Sequence, residues 1–393
     1  MSQSSLALVA RGPISRGQWH LEHVTPRALN DDEVLVDIVA SGICRAEIHF
    51  GDVDAEEADN PGIQYPRILG HEGSGYVKKI GKAVEGMKIG DPVILSFLSC
   101  GNCYNCDDNH PAYCINGFEC NFMGEKNMFS SSETQTQNKN QGFNIGGAFF
   151  GQSSFATTAI VKARSVVNVS GLDLTLNELQ VLAPLGCGVQ TGAGAITAIA
   201  EAKPQHDIVV LGTGGVGQSA IMAASMIGCK TIIAIDYTAS RLDLAKSLGA
   251  THTIDTSSET DLVAEVLKIT NGRGVHISLD TTGVQKLARA SWDFVRFRGK
   301  VLQVGLAKPD DKWDVSMADH MNSGKQIIGC VQGDAVPQVY IREMIAWYKQ
   351  GKLPVEKIVR MYPAEQYEKA FADMQSGETI KPVLVWSAAK PRI

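Results

Sequence analysis

The sequence predicts an α/β protein with a β-rich first domain and a second domain built on a doubly wound parallel sheet. Two observations carry this. Residues 33–43 (EVLVDIVASGI), 73–81 (GSGYVKKIG) and 91–97 (DPVILSF) are apolar or alternating runs punctuated by glycine, as short strands are. From about residue 205, short apolar runs alternate with amphipathic stretches. That alternation implies strand–helix–strand units and a parallel sheet with helices on both faces.

The elements follow in order. DIVVLG (207–212) is a strand ending in glycine, and QSAIMAASMIG (218–228) is helical by period. TIIAIDY (231–237) is the next strand, and RLDLAKSLG (241–249) a helix closed by glycine. DLVAEVLKIT then HISLDTTG, and LARASWDFVRFRG then KVLQVGL, repeat the pairing. The end returns to a helix (339–353) and a strand, KPVLVW (381–386), expected to fold back onto the first domain. Residues 129–142 (FSSSETQTQNKNQG) are polar and aperiodic and read as a surface loop.

The bulk properties exclude several classes. With 393 residues there is room for two cores, and 44% hydrophobic with 20% charged residues is ordinary for a globular chain. A net charge of −6 argues against nonspecific nucleic-acid binding. No run approaches the roughly 20 apolar residues of a membrane span. The opening residues MSQSSLALVARGPISRG lack the basic start and long apolar core of a secretion signal. Nine cysteines without such a signal point to a reducing, cytoplasmic setting and to metal binding. The expected partners are a small-molecule substrate and further copies of the chain, as a dimer or tetramer.

Cys100, Cys103, Cys106 and Cys114 form C-x2-C-x2-C-x7-C. Four thiolates this close can enclose one Zn²⁺ with no open position, a structural site. Cys44, His71 and Cys187 are scattered and form a second, open set, whose fourth position is left for water or substrate oxygen. Glu72 is a candidate transient fourth ligand, and Glu47 a candidate to orient a ligand by hydrogen bonding. Cys229 and Cys330 read as small buried hydrophobes.

LGTGGVG places Gly212, Gly214 and Gly217 in G-x-G-x-x-G register between a strand and a helix, with Gly215 and Val216 inside the turn. That context makes it a Rossmann dinucleotide fingerprint. Asp236 closes the next strand, where a carboxylate accepts the adenosine ribose hydroxyls and repels a 2′-phosphate, favouring NAD(H) over NADP(H). Arg241 lies within reach of the same ribose.

GHEGSGYV and SCGNCYNC with its distal cysteine resemble the signatures of the medium-chain zinc alcohol dehydrogenases, and the resemblance spans almost the whole chain. GCGVQTGAGA and FFGQSSFA are most similar to the aryl (benzyl) alcohol dehydrogenase branch. The resemblance implies a GroES-like catalytic domain (1–188 and 332–393) around a Rossmann domain (189–331). It implies two Zn²⁺ per chain, with Cys44, His71 and Cys187 as catalytic ligands. It places Arg45 on the pyrophosphate, Thr191 near the nicotinamide, His49 in proton transfer, and Lys381 near the phosphates. Val304, Gly305 and Leu306 would line the nicotinamide pocket. The family carries Ser or Thr two residues after the first ligand cysteine; here the residue is Ala46, which can neither donate nor accept a proton.

The expected activity is hydride transfer between NAD(H) and an alcohol/carbonyl pair, with Phe149, Phe150 and Phe155 as candidate walls for an aromatic or bulky substrate. Two alternatives stand beside it. One is a 1,4-reductase of unsaturated carbonyls on the same scaffold, motivated by Ala46. The other is a non-catalytic zinc/nucleotide-binding module, against which the acidic charge counts.

Overall fold

The computed structural model describes residues 4–53, 64–131, 144–258 and 260–386. They fall into two compact units, one drawn from 1–187, 336–345 and 359–393, the other from 188–335 and 346–358.

The first unit is β-rich. Its central strand, Glu33–Gly42, is buried along almost its whole length. Ladders on both sides explain this, since Gly73–Ile80 and Thr158–Lys162 pair with it antiparallel and Lys381–Val385 pairs with residues 40–42. The C-terminal strand therefore does return to the β-rich unit. A five-stranded closed barrel of Ser5–Ala10, Trp19–Pro26, Glu125–Ser131, Ile145–Gly147 and Arg67–Ile68 completes the unit.

The second unit is a six-stranded parallel sheet. Numbering its strands Asp207–Leu211, Thr231–Asp236, His252–Asp255, Val275–Asp280, Val295–Gln303 and Gln326–Gly329 as 1 to 6, the order across the sheet is 3-2-1-4-5-6. That is the dinucleotide-binding order, with its crevice where strands 1 and 4 diverge. Residues of strands 1 and 2 are buried because helices cover them.

Two boundaries differ from the sequence reading. The helix expected over 287–299 stops at Phe294, and Val295–Gln303 is strand. Val295 and Phe294 are both core residues, so apolar spacing does not mark the change. The polar segment expected from Phe129 also starts later. Phe129, Ser130 and Ser131 end the strand Glu125–Ser131, with Phe129 fully buried; residues 132–142 lie outside the described residues. Cys229 and Cys330 are buried, and burial pushes their thiols up to about 11 and about 12. Among the described residues, no helix is long and apolar enough to cross a membrane.

A buried ion network anchors the β-rich unit. Glu33, with no exposed surface, accepts hydrogen bonds from Arg27 at 2.7 and 2.8 Å, from Lys162 at 2.9 Å and from the Asn30 N–H at 2.8 Å. Burial alone would raise its carboxyl, but these donors hold it at about 2. The network's stability is therefore full above pH 4.5, the ordinary Glu33 value, and is lost as pH falls from there towards 2. Glu33→Gln is expected to cost about 3 kcal/mol at neutral pH. Denaturant unfolding of parent and variant should show this difference shrinking through that acidic window; a difference independent of pH would contradict the assignment.

Candidate metal centre and nucleotide site

Cys44 caps the helix Arg45–Gly51 just past the end of the central strand. Glu47, in the first turn, reaches back, and its Oε2 accepts the Cys44 N–H at 2.8 Å. Its Oε1 accepts the His71 N–H at 3.1 Å and pairs with His71 Nδ1. One buried carboxylate thus holds both residues. With Nδ1 engaged, Nε2 is left for a ligand, and it lies 3.1 Å from Cys187 Sγ.

The loop carrying His71 is held from several sides. Gly70 has φ +94°, and a Cβ there would meet the Phe155 backbone nitrogen at 2.5 Å. Buried Gln152 donates to the carbonyls of His71 and Ser96 at 2.9 Å each and accepts the Gly73 N–H at 3.2 Å. Phe150 stacks on the imidazole at 4.3 Å, and Phe149 meets it edge-on at 5.6 Å. Phe122 and Phe50, stacked at 4.4 Å, extend the cluster. Phe155 instead packs on Phe371 in the core.

The ligating atoms of Cys44, His71, Glu72 and Cys187 all lie within 4.8 Å of one another. The hydrogen bond with Cys187 holds the Cys44 thiol well below its ordinary range, helped by the charges of Lys381 and His71. The same bond and burial push Cys187 well above it. Two thiolates in one buried pocket repel each other, and a divalent cation between them lets both ionise. Two sulfurs, an imidazole nitrogen and a carboxylate oxygen are a donor set that suits zinc.

Lys381 Nζ lies 2.8 Å from Glu72 Oε1 and 3.2 Å from the Ile43 carbonyl, almost fully buried. The ammonium is therefore engaged inside the β-rich unit. Burial raises the Glu72 carboxyl to about 7 against the pull of Lys381. Gly42 makes room for that carboxylate, because a Cβ would meet Glu72 Oε2 at 2.1 Å. Arg45 and His49 occupy exposed positions one turn apart on the helix, with Ala46 half-buried between them.

The second cluster is Cys100, Cys103, Cys106 and Cys114. The Sγ–Sγ distances are 3.5 Å for Cys103–Cys106 and 4.0 Å for Cys100–Cys106 and Cys103–Cys114. Four sulfurs at about 2.3 Å from a common centre stand about 3.8 Å apart in a tetrahedron. The lobe has that geometry, and its cysteines are free thiols.

In the second unit, Gly212 has φ +82° as the chain leaves strand 1, and Gly214 precedes the helix Gly215–Ile227. A Cβ on Gly217 would meet the Gly212 carbonyl at 1.9 Å, whereas one on Gly214 meets nothing within 4 Å. Val216 lies in the first turn of that helix. Asp236, at the end of strand 2, accepts the Thr213 N–H and hydroxyl at 2.7 and 2.9 Å on Oδ2 and the Thr238 N–H at 3.0 Å on Oδ1. Arg241 Nη1 is 3.9 Å from the same carboxylate. Thr191 is buried on the helix Gly188–Gly194, its hydroxyl 3.4 Å from Gln332 Oε1. After strand 5, the N–H groups of Val304 and Gly305 donate to the Asp280 carbonyl, and Leu306 is exposed.

Sequence reasoning missed Gln152, Phe50 and Phe122. Gln152 lies within FFGQSSFA, but its role exists only where three separate segments meet. Phe50 and Phe122 lie far apart in sequence and come together only through the fold.

Comparison with known proteins agrees with this geometry. Residues 30–171 match the alcohol dehydrogenase GroES-like domain, and residues 215–350 the zinc-binding dehydrogenase domain. Geraniol dehydrogenase of Castellaniella defragrans is 37% identical over 355 residues, covering 90% of this chain and 91% of that protein. A solved alcohol dehydrogenase zinc-binding domain protein from Burkholderia ambifaria superposes with a TM-score of 0.89 at 35% identity, covering 98% of this chain and 99% of that one. Benzyl alcohol dehydrogenase from Acinetobacter calcoaceticus superposes at 0.85, also at 35% identity, covering 98% and 100%. The chain belongs to the zinc-binding alcohol dehydrogenases of the medium-chain dehydrogenase/reductase family.

Proposed function

We propose that this chain is an NAD(H)-preferring, zinc-dependent oxidoreductase of the benzyl alcohol dehydrogenase kind, interconverting an aromatic or bulky alcohol and its carbonyl. The observation that carries the reading is the Cys44–His71–Cys187 set, held by Glu47 against the rings of Phe149 and Phe150. The names of two relatives, which specify geraniol and benzyl alcohol, support the substrate class.

In this reading Cys44, His71 and Cys187 hold the catalytic zinc, Glu72 is an exchangeable fourth ligand, and the four-cysteine lobe holds a second zinc. When bound, zinc supplies a Lewis acid for the substrate oxygen and the nicotinamide supplies or accepts hydride. The chain's residues do the rest. Glu47 fixes the His71 tautomer. The phenylalanine cluster excludes water and presents flat apolar faces to the substrate. Asp236 accepts ribose hydroxyls and repels a 2′-phosphate. Arg45 and Lys381 contribute positive charge toward the pyrophosphate. His49 exchanges the reaction's proton with solvent.

Ala46 favours a second reading, conjugate reduction, because it has no hydroxyl to carry the alcohol proton. Alcohol–carbonyl interconversion, in both directions, is therefore expected to be slow relative to enone reduction. Ala46→Ser should raise oxidation of benzylic alcohols by roughly tenfold or more, within the range of general acid–base assistance, and change enone reduction little. A panel of aromatic alcohols, aldehydes and enones, with NADH and NADPH followed spectroscopically, checks this. Fast native oxidation unchanged by Ala46→Ser would refute the broken relay. A tenfold preference for NADPH in kcat/KM, about 1.4 kcal/mol, would refute the cofactor assignment.

A further inference from the structure

Arg67 belongs to the short strand Arg67–Ile68 of the small barrel, paired with Ala10 on one side and Gly146 on the other. The residue is only 6% exposed. Its guanidinium makes one hydrogen bond, from Nη2 to the Phe50 carbonyl at 2.5 Å, and lies over the rings of Tyr65 and Phe149 at 5.7 and 5.8 Å. Its Nε is sealed from solvent with no hydrogen-bond partner. Among the described residues, no carboxylate stands within ion-pair distance of it. Burial pushes the group down to about 10. A guanidinium carries five donors, and an isolated buried charge is costly unless something pairs with it.

Arg67 lines a cavity of about 200 Å³ in the β-rich unit. Tyr65 and Phe149 supply apolar wall, Asn127 and Asn144 also line it, and Lys126 adds an exposed cation. Glu125 also lines it, but its carboxylate is bound by Lys162 at 2.6 Å and Arg27 at 3.0 Å. Among the described residues, the lining therefore has an excess of positive charge beside aromatic surface. None of the four residues of the metal centre lines it.

We propose that this cavity is a binding site for a small organic carboxylate, with Arg67 as its counter-charge. An anion here supplies the partner that the fold withholds from the guanidinium, in a low-dielectric setting where a charge-assisted hydrogen bond is strong. The aromatic wall selects a flat apolar body over a bare inorganic anion. Lys126 adds long-range attraction that salt weakens. The cavity shares Phe149 with the wall of the metal centre, but binding there needs neither hydride transfer nor a metal ligand.

Titration calorimetry on the full-length, zinc-loaded protein tests it with three probes: benzoate, its neutral isostere benzamide, and inorganic phosphate. Benzoate should bind at least tenfold more tightly than either of the others. Arg67→Met should weaken benzoate at least tenfold, and Lys126→Glu two- to fivefold at low salt. Equal affinity for benzoate and benzamide overturns the proposal, as does phosphate binding as tightly as benzoate. Benzoate affinity unchanged in Arg67→Met also overturns it, because the carboxylate would then sit elsewhere, such as on the metal. If Arg67→Met does not fold, the exposed Lys126→Glu decides alone: unchanged benzoate affinity at low salt refutes the site.

Discussion

Replacing His71 by alanine is expected to lower the zinc content from about two ions per chain to about one and to reduce kcat/KM on aromatic aldehydes by about 10³-fold or more. His71 Nε2 is a nitrogen donor placed beside Cys187 Sγ, and the Glu47 carboxylate holds the other ring nitrogen. Without the imidazole, two thiols and a carboxylate lysine-paired through Oε1 remain, a poorer set for zinc at neutral pH. Glu47→Gln should be milder, weakening metal affinity by about 10- to 100-fold, because the imidazole stays but its orientation is no longer fixed by a carboxylate. Metal analysis alongside steady-state kinetics checks both variants. Full zinc occupancy in His71→Ala would remove this residue from the ligand set.

Replacing Cys103 by alanine is expected to be as severe, but for stability. Its Sγ is 3.5 Å from that of Cys106 and 4.0 Å from that of Cys114. The lobe around it is built from short turns, a four-residue helix at Tyr104–Asp107 and a 3₁₀ turn at Pro111–Tyr113. Such a segment has little apolar area with which to offset the entropy of ordering it. Structural zinc in small motifs contributes about 10–16 kcal/mol of apparent binding free energy. Loss of one thiolate should release the ion and unfold the lobe locally, seen as a zinc content of about one, a lower Tm and protease cleavage within residues 100–114. An unchanged Tm with zinc lost would show that the lobe holds itself together without metal.

What the sequence disclosed and what it hid follow from distance along the chain. The cysteine lobe and the glycine turn are written within a few residues each, where spacing alone dictates geometry. The alternation of strands and helices after residue 205 is legible because a parallel sheet needs a crossover between successive strands. The buried pair of Lys381 and Glu72 joins positions more than 300 residues apart, and neither has a local pattern that announces it. Arg67 reads as an ordinary charged residue next to a proline; only the folded barrel shows that it is buried with no carboxylate beside it among the described residues. The start of strand 5 at Val295 was obscured because Phe294 and Val295 belong to the same core on either side of the boundary. The three phenylalanines near residue 150 look alike in sequence. Two pack on His71, Phe150 stacked and Phe149 edge-on, and the third meets Phe371 edge-on, a difference set by the left-handed turn at Phe150, with φ +53°.

In the proposed function, zinc at Cys44, His71 and Cys187 serves hydride exchange with NAD(H). The most direct test is benzaldehyde-dependent NADH oxidation by protein carrying both zinc ions, repeated as a chelator withdraws the less tightly held one. Activity is expected to fall in step with that single ion and to return when zinc is restored, with the four-cysteine lobe still loaded throughout. Reduction of benzaldehyde that persists undiminished after the ion is gone would contradict the proposed function.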